Sequence, residues 1–162
     1  MIADEAAAES PLWGEALLPR DERQLVPVFS PLGEEHYALG LETIYEGYLL
    51  HYGRPRLFAP SDRYTSLLLG DYLYAHGLVR IARHREVDAV SDLAALISLC
   101  AQLRAEAAPG GDGEAWAASA ALLGHGPLLA TRDPEALAAA ARNASGADPV
   151  ERALALHRLR VG

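Results

Sequence analysis

The chain contains no lysine; all 14 of its basic residues are arginine. Schiff-base chemistry and a lysine phosphate clamp are therefore excluded, and any cationic contact must come from a guanidinium. Cysteine is nearly absent as well. Cys100 stands alone, so no internal disulfide and no cysteine-based zinc site can form, and a reducing cytoplasm is the expected compartment. Its neighbours Leu96, Ile97, Leu99 and Leu103 mark it as a buried structural thiol rather than a nucleophile. No apolar run reaches the roughly 18 residues expected of a membrane span. The opening stretch, MIADEAAAESPLWGEALLP, has acids and no early basic residue, unlike a secretory signal. A net charge of −8 argues against nucleic acid and anionic membranes, which would repel such a chain.

What is present points to one helical domain. The 162 residues, 51% of them hydrophobic, suffice for one sizeable core. Residues 1–33 carry Pro11, Pro19, Pro27 and Pro31 and read as a loosely packed arm with one short helix. From 34 to 162 the pattern is helical. Tyr37, Leu41, Ile44, Tyr48 and Leu49 recur at three- and four-residue spacings in a helix from Glu34 that stops at Gly53. GRPRLFAPS is then a loop, with Ser61 as N-cap of a second helix over Asp62–His84. A third helix covers Glu86–Ala107 before the PGGDG break, and a shorter one Glu114–Leu123. Asp133-Pro134 and Asp148-Pro149 each open one more, the acid capping and the proline taking the first helical position. The expected fold class is all-α, a single-domain helical bundle.

Several residues invite a chemical reading, each beside a plainer one. In LLLGDYLYAHG, at about 100° per residue, Asp71 falls on the apolar side of its helix with Leu67, Ala75, Leu78 and Ala82. The plainer reading is a structural buried acid, with Gly70 permitting close helix contact; catalysis by Asp71 would need a partner group that no spacing supplies. Glu42 and Glu46 stand one turn apart and fit either a divalent cation or a solvated acidic face. His76, Arg80 and His84 form a polar stripe, poor as a metal site and better as an exposed or partner surface. Arg54, Arg56, Arg80, Arg83 and Arg85 would grip a diphosphate if the fold gathered them; otherwise they are scattered surface arginines. PGGDG lacks the pattern of a nucleotide phosphate loop.

The segment SLLLGDYLYAHGLVRIA resembles the Gly-Asp helix of the all-α trans-isoprenyl diphosphate synthases. In catalytic members of that family a first Asp-rich motif, DDxxD, and an Arg-Arg-Gly-x-Pro segment precede this helix. Here His51 is followed by Tyr52 and Gly53 where the paired aspartates would stand, and RPRLFAP follows at shortened spacing. GDGEAWAASAALLGHG is similar to the region holding the family's diphosphate-binding lysine, with Asp112 near that place, and only TRDPEAL stands where a second Asp-rich motif would come. The resemblance covers roughly residues 37 to 125, in a chain about half the family's usual length.

That pattern of loss is similar to the small subunit of heterodimeric hexaprenyl and heptaprenyl diphosphate synthases. The resemblance implies a truncated synthase fold, a non-catalytic regulatory role with no catalytic residue, metal or cofactor in this chain, and a large partner subunit. That partner would hold Mg²⁺ and the allylic diphosphate, while this chain would support activity and help set product length. Without clustered acids there is no metal to neutralise the leaving group. The third helix offers Ser91, Ala95, Ser98 and Gln102 as a partner face, small and mildly polar, or else a plain solvent face. Arg54 and Arg56 are candidates for touching a partner's substrate. Two other readings stand beside this one: a self-associating helical protein, a homodimer, that binds an apolar ligand or regulatory partner, and an independent enzyme using Glu42, Glu46 and Asp71.

Overall fold

The computed structural model describes residues 1–106, 111–125 and 131–161. Eight α-helices and no β-strand lie among these residues: α1 (Ile2–Glu9), α2 (Pro11–Glu15), α3 (Ala38–Tyr52), α4 (Arg63–Ala82), α5 (Val87–Ala105), α6 (Asp112–Ala121), α7 (Pro134–Ser145) and α8 (Ala147–Val161). The expected all-α class holds. Four helix starts move: α3 begins at Ala38, after a 3₁₀ turn over Glu35–Tyr37, rather than at Glu34, and those of α4, α6 and α8 shift as well. Asp62, not Ser61, caps α4, its Oδ1 accepting from the Thr65 N–H at 2.9 Å, because it stands directly before the first helical residue. α6 begins at Asp112, two residues early, and α8 at Ala147, so Asp148 lies in its first turn. Asp133 and Pro134 open α7 as expected.

The centre of the molecule is an antiparallel pair, α3 against α4. Gly40 of α3 meets Gly77 of α4, and Gly47 meets Gly70. A Cβ on Gly47 would come within 2.9 Å of the Gly70 carbonyl oxygen, and one on Gly77 would overlap Ile44 and stand 3.1 Å from the Gly40 carbonyl oxygen. Two glycines seven residues apart on each helix thus let the backbones touch. The buried stripe of α4 is Leu69, Gly70, Leu73, Gly77 and Ile81. α3 has no solvent side to speak of: 11 of its 15 residues, Gly40 through Leu50, are buried.

α5 packs on α4 and buries Leu93, Leu96 and Leu99 in the core, and α6 contacts both α5 and the α7–α8 pair. Eight of the ten α6 residues are buried, which explains its run of alanines: only small side chains fit a helix enclosed on several sides. Trp116 is the large exception. Its ring stacks on Phe29 at 5.6 Å and meets the edges of Tyr45 and Tyr48.

The arm is more ordered than its prolines suggest. It forms two helices, α1 and α2, and Ser10 caps the second ahead of Pro11. Ala6 and Ala16 join Leu50, Leu57, Phe58, Leu69 and Leu73 in a second apolar cluster, while Val28, Phe29 and Leu32 enter the main core. Residues 1–33 therefore share their core with the helical domain.

Gly47→Ala should lower the midpoint of thermal unfolding despite the better helix propensity of alanine. The added methyl meets backbone, so overpacking of about 1–3 kcal/mol outweighs a propensity gain of about 1 kcal/mol. Gly14→Ala is the control, since its Cβ would find ordinary contacts at 3.8 Å and should leave stability unchanged or slightly raised.

Candidate functional site

Asp71 is not the buried acid that the helix pattern suggests. Its side chain is 70% exposed, and its Oδ1 lies 3.1 Å from Nε2 of His51. The reason lies in α4, which is apolar on two sides. The glycine-bearing stripe packs on α3, leaving Tyr64, Leu68, Asp71, Ala75, Val79 and Ala82 facing outward. Gly70 does permit close contact, but with a side chain as well as a helix: a Cβ there would fall 2.7 Å from the His51 ring. The imidazole lies over this gap, stacked on Tyr74 with centroids 5.0 Å apart. Burial holds the His51 pKa below its ordinary value, against the pull of Asp71.

Glu42 and Glu46 are neither a solvated face nor a cation pair. Both are buried, and Arg56 lies between them: Nη1 donates to Glu42 Oε2 at 2.6 Å and Nε to Glu46 Oε2 at 3.0 Å. The remaining oxygens are taken by backbone. Glu42 Oε1 accepts the successive N–H groups of Val28, Phe29 and Ser30, and Glu46 Oε1 those of Arg56 and Leu57. With no oxygen left open, this pair does not fit Mg²⁺, which demands several near-octahedral oxygen ligands. The clamp is structural. It ties the 28–30 and 56–57 segments to α3 and satisfies charges that burial would otherwise make costly. Burial opposes the Arg56 charge, yet the two carboxylates outweigh it and hold its pKa above the ordinary value.

A second buried network has no forerunner in the sequence pattern. Tyr48 donates to Asp112 Oδ2 at 2.5 Å, and Arg104 donates to the same oxygen at 2.8 Å and to the Tyr48 oxygen at 2.9 Å. Asp112, the first residue of α6, thereby joins α3, α5 and α6. Nearby, Tyr45 and His157 Nδ1 share a hydrogen bond of 3.0 Å. Burial lowers the His157 pKa to about 4, so the ring is neutral at physiological pH. The only advance signal was an acid beside two glycines; partners 8, 64 and 112 residues away could not be read locally. Cys100 is buried beside this network, with burial pushing its thiol pKa up, as expected of a structural cysteine.

The five arginines singled out in the sequence do not form one patch: Arg54 and Arg56 line one groove, Arg80 and Arg83 another. Arg56 is buried in its clamp and cannot reach a partner's substrate, whereas Arg54 is exposed and donates to the Leu159 carbonyl at the end of α8. Arg80 pairs with Glu5 of α1, and His76 lies 3.2 Å from the same carboxylate, so α1 covers part of the stripe expected to be exposed. His84 packs at the other end against His36 and Tyr37. Ser91, Ala95, Ser98 and Gln102 do lie together on the exposed side of α5, where Gln102 accepts from Arg132 at 2.6 Å. Among the described residues no three His, Cys, Asp or Glu side chains converge as a metal group, and no helix is long and apolar enough to cross a membrane.

The outward side of α4 is a further surface feature. Tyr64 is 82% exposed, Leu68 58% and Val79 53%, with only Asp71 charged among them. Sequence reasoning missed it because it treated the apolar stripe as core. Comparison with known protein families, with curated proteins and with solved structures finds no match for the chain.

Two outcomes are expected. Arg56→Met leaves two carboxylates buried without their cation and should cost about 3–5 kcal/mol in urea unfolding. For His157, a base with a folded pKa below its unfolded value of about 6.5 takes up its proton first in the unfolded chain. Its contribution is therefore complete above about pH 6.5 and is lost as pH falls toward about 4, by about 3 kcal/mol in all. His157→Gln should flatten the fall in urea midpoint between pH 6.5 and 5 relative to wild type; an unchanged slope would assign that fall to other groups.

Proposed function

We propose that this chain is the non-catalytic small subunit of a heteromeric trans-polyprenyl diphosphate synthase, acting by association with a DDxxD-bearing large subunit that holds Mg²⁺ and the diphosphate substrates. The observation that carries the reading is the outward stripe of α4, the helix that also bears the Gly-Asp sequence. Tyr64, Leu68 and Val79 expose apolar surface along one side of the helix, with Asp71 and Ala75 between them, a feature that supports an interaction face. Burying each of these side chains contributes about 1.5–3 kcal/mol, part of which offsets the lost freedom of the two partners. The exposed α5 face of small residues would allow a partner helix to approach closely.

The buried acids support the same division of labour. Glu42, Glu46 and Asp112 are each engaged with an arginine, so this chain's carboxylates hold its own fold together, and the metal-dependent step belongs to the partner. Asp71 sits on the proposed contact face as one acid among apolar groups, suited to fixing register with a donor on the partner.

Co-expression with the DDxxD-bearing synthases of the same genome, followed by co-purification and a prenyl transfer assay, tests this reading. Activity is expected to need both chains. Leu68→Glu should abolish co-purification while the isolated chain keeps its helical circular dichroism and unfolding midpoint. If the chain binds none of these synthases and changes no product, the subunit reading is lost; a stable homodimer that Leu68→Glu converts to monomer would replace it with self-association through the same stripe.

A further inference from the structure

On the side of the molecule where α8 ends, a groove of about 470 Å³ runs between the 24–28 segment, residues 54–56 and the last turn of α8. Val26, Val28, Pro55, Leu156 and Leu159 give it apolar walls; Arg54, Arg56 and Arg160 give it three guanidinium groups. In a chain of net charge −8 that concentration is unusual. Arg56 is neutralised by Glu42 and Glu46, but the other two arginines are held differently. Arg54 donates to the Leu159 carbonyl and Arg160 to the Gln24 side-chain oxygen, both uncharged acceptors, and neither forms an ion pair among the described residues. Each guanidinium has five N–H donors, so most of their capacity is unspent.

The walls are set in advance. The Arg54 N–H donates to the Arg160 carbonyl at 3.0 Å, and a Cβ on Gly53 would stand 2.9 Å from that same oxygen, so the end of α8 is seated directly on the 53–54 backbone. On the opposite wall the Gln24 N–H donates to the Arg56 carbonyl at 3.1 Å. A groove held open by backbone contacts loses little freedom when it is filled. Burial and the neighbouring charge of Arg56 hold the Arg160 pKa below its ordinary value, the response of a cation short of counter-charge.

We infer that this groove binds a small amphiphilic anion, with a phosphate head between Arg54 and Arg160 and an apolar body along Val26, Leu156 and Leu159. Capping of α8 accounts for Arg54 but not for a second guanidinium turned to a neutral amide across an apolar groove. Two cations reaching in from different segments suit a tetrahedral head that offers oxygens in several directions better than a planar carboxylate, which one guanidinium fork satisfies. The inference rests on the groove alone and is independent of the subunit reading.

Isothermal titration of the full-length chain at fixed ionic strength, with octyl phosphate, inorganic phosphate and octanoate, tests it. Octyl phosphate is expected to bind about tenfold or more tightly than either of the others. Arg160→Gln, which keeps a donor for Gln24, and Val26→Asp, which places a carboxylate in the groove, should each weaken octyl phosphate by about tenfold or more with the unfolding midpoint unchanged. Absence of octyl phosphate binding up to about 1 mM, or equal binding by wild type and both variants, would overturn the site. Octanoate binding as tightly as octyl phosphate would overturn the phosphate head, and inorganic phosphate doing so would overturn the apolar body.

Discussion

Backbone contact between α3 and α4 is the constraint from which the rest of the structure follows. Gly40, Gly47, Gly70 and Gly77 bring the two helices together without intervening side chains, and that closeness decides which side of α4 is core. Once the glycine stripe faces α3, Tyr64, Leu68 and Val79 must face outward, and Asp71 with them. The same approach leaves room over Gly70 for the His51 ring, so the Gly-Asp pair serves a packing role on one side and a surface role on the other.

Enclosing α3 so completely creates a difficulty that the rest of the chain resolves with charge. A helix with Glu42 and Glu46 in its interior would be unstable unless every oxygen found a donor, and Arg56 together with five backbone N–H groups supplies them. Two otherwise irregular segments, 28–30 and 56–57, take their positions from this clamp. Tyr48, Asp112 and Arg104 do the same at the other side of the core, linking α3 to α5 and α6. Buried polar networks of this kind have few alternative arrangements, because each misplaced partner leaves a desolvated charge behind. They set one helix arrangement among the many that a merely apolar core would accept.

Such an interior leaves function to the surface. The carboxylates that could have held a metal are engaged with arginines and backbone, while an apolar stripe on α4, a small-residue face on α5 and a cationic groove at the end of α8 remain open. The association and the anion binding proposed above would both draw on these exposed features without rearrangement of the buried networks.

From residue 34 onward, helix order and many boundaries were legible in the sequence, because three- and four-residue periodicity, Asp caps and an Asp-Pro start are local signals; the second helix of the arm was not. The buried Cys100 and the exposed small face of α5 were legible too. The roles of the charged residues were not. Asp71 was read as buried and Glu42 and Glu46 as solvated, and the structure reverses both, since periodicity says that a helix has two sides but not which neighbour each side meets. Glycines 23 and 37 residues apart, and an arginine in a proline-rich loop, decided that question. The sequence by itself determined an all-α fold class and the absence of lysine and paired-cysteine chemistry. Only the tertiary structure decided which acids are buried, which apolar row faces outward and which arginines keep donors to offer, because burial depends on contacts between residues far apart in the chain.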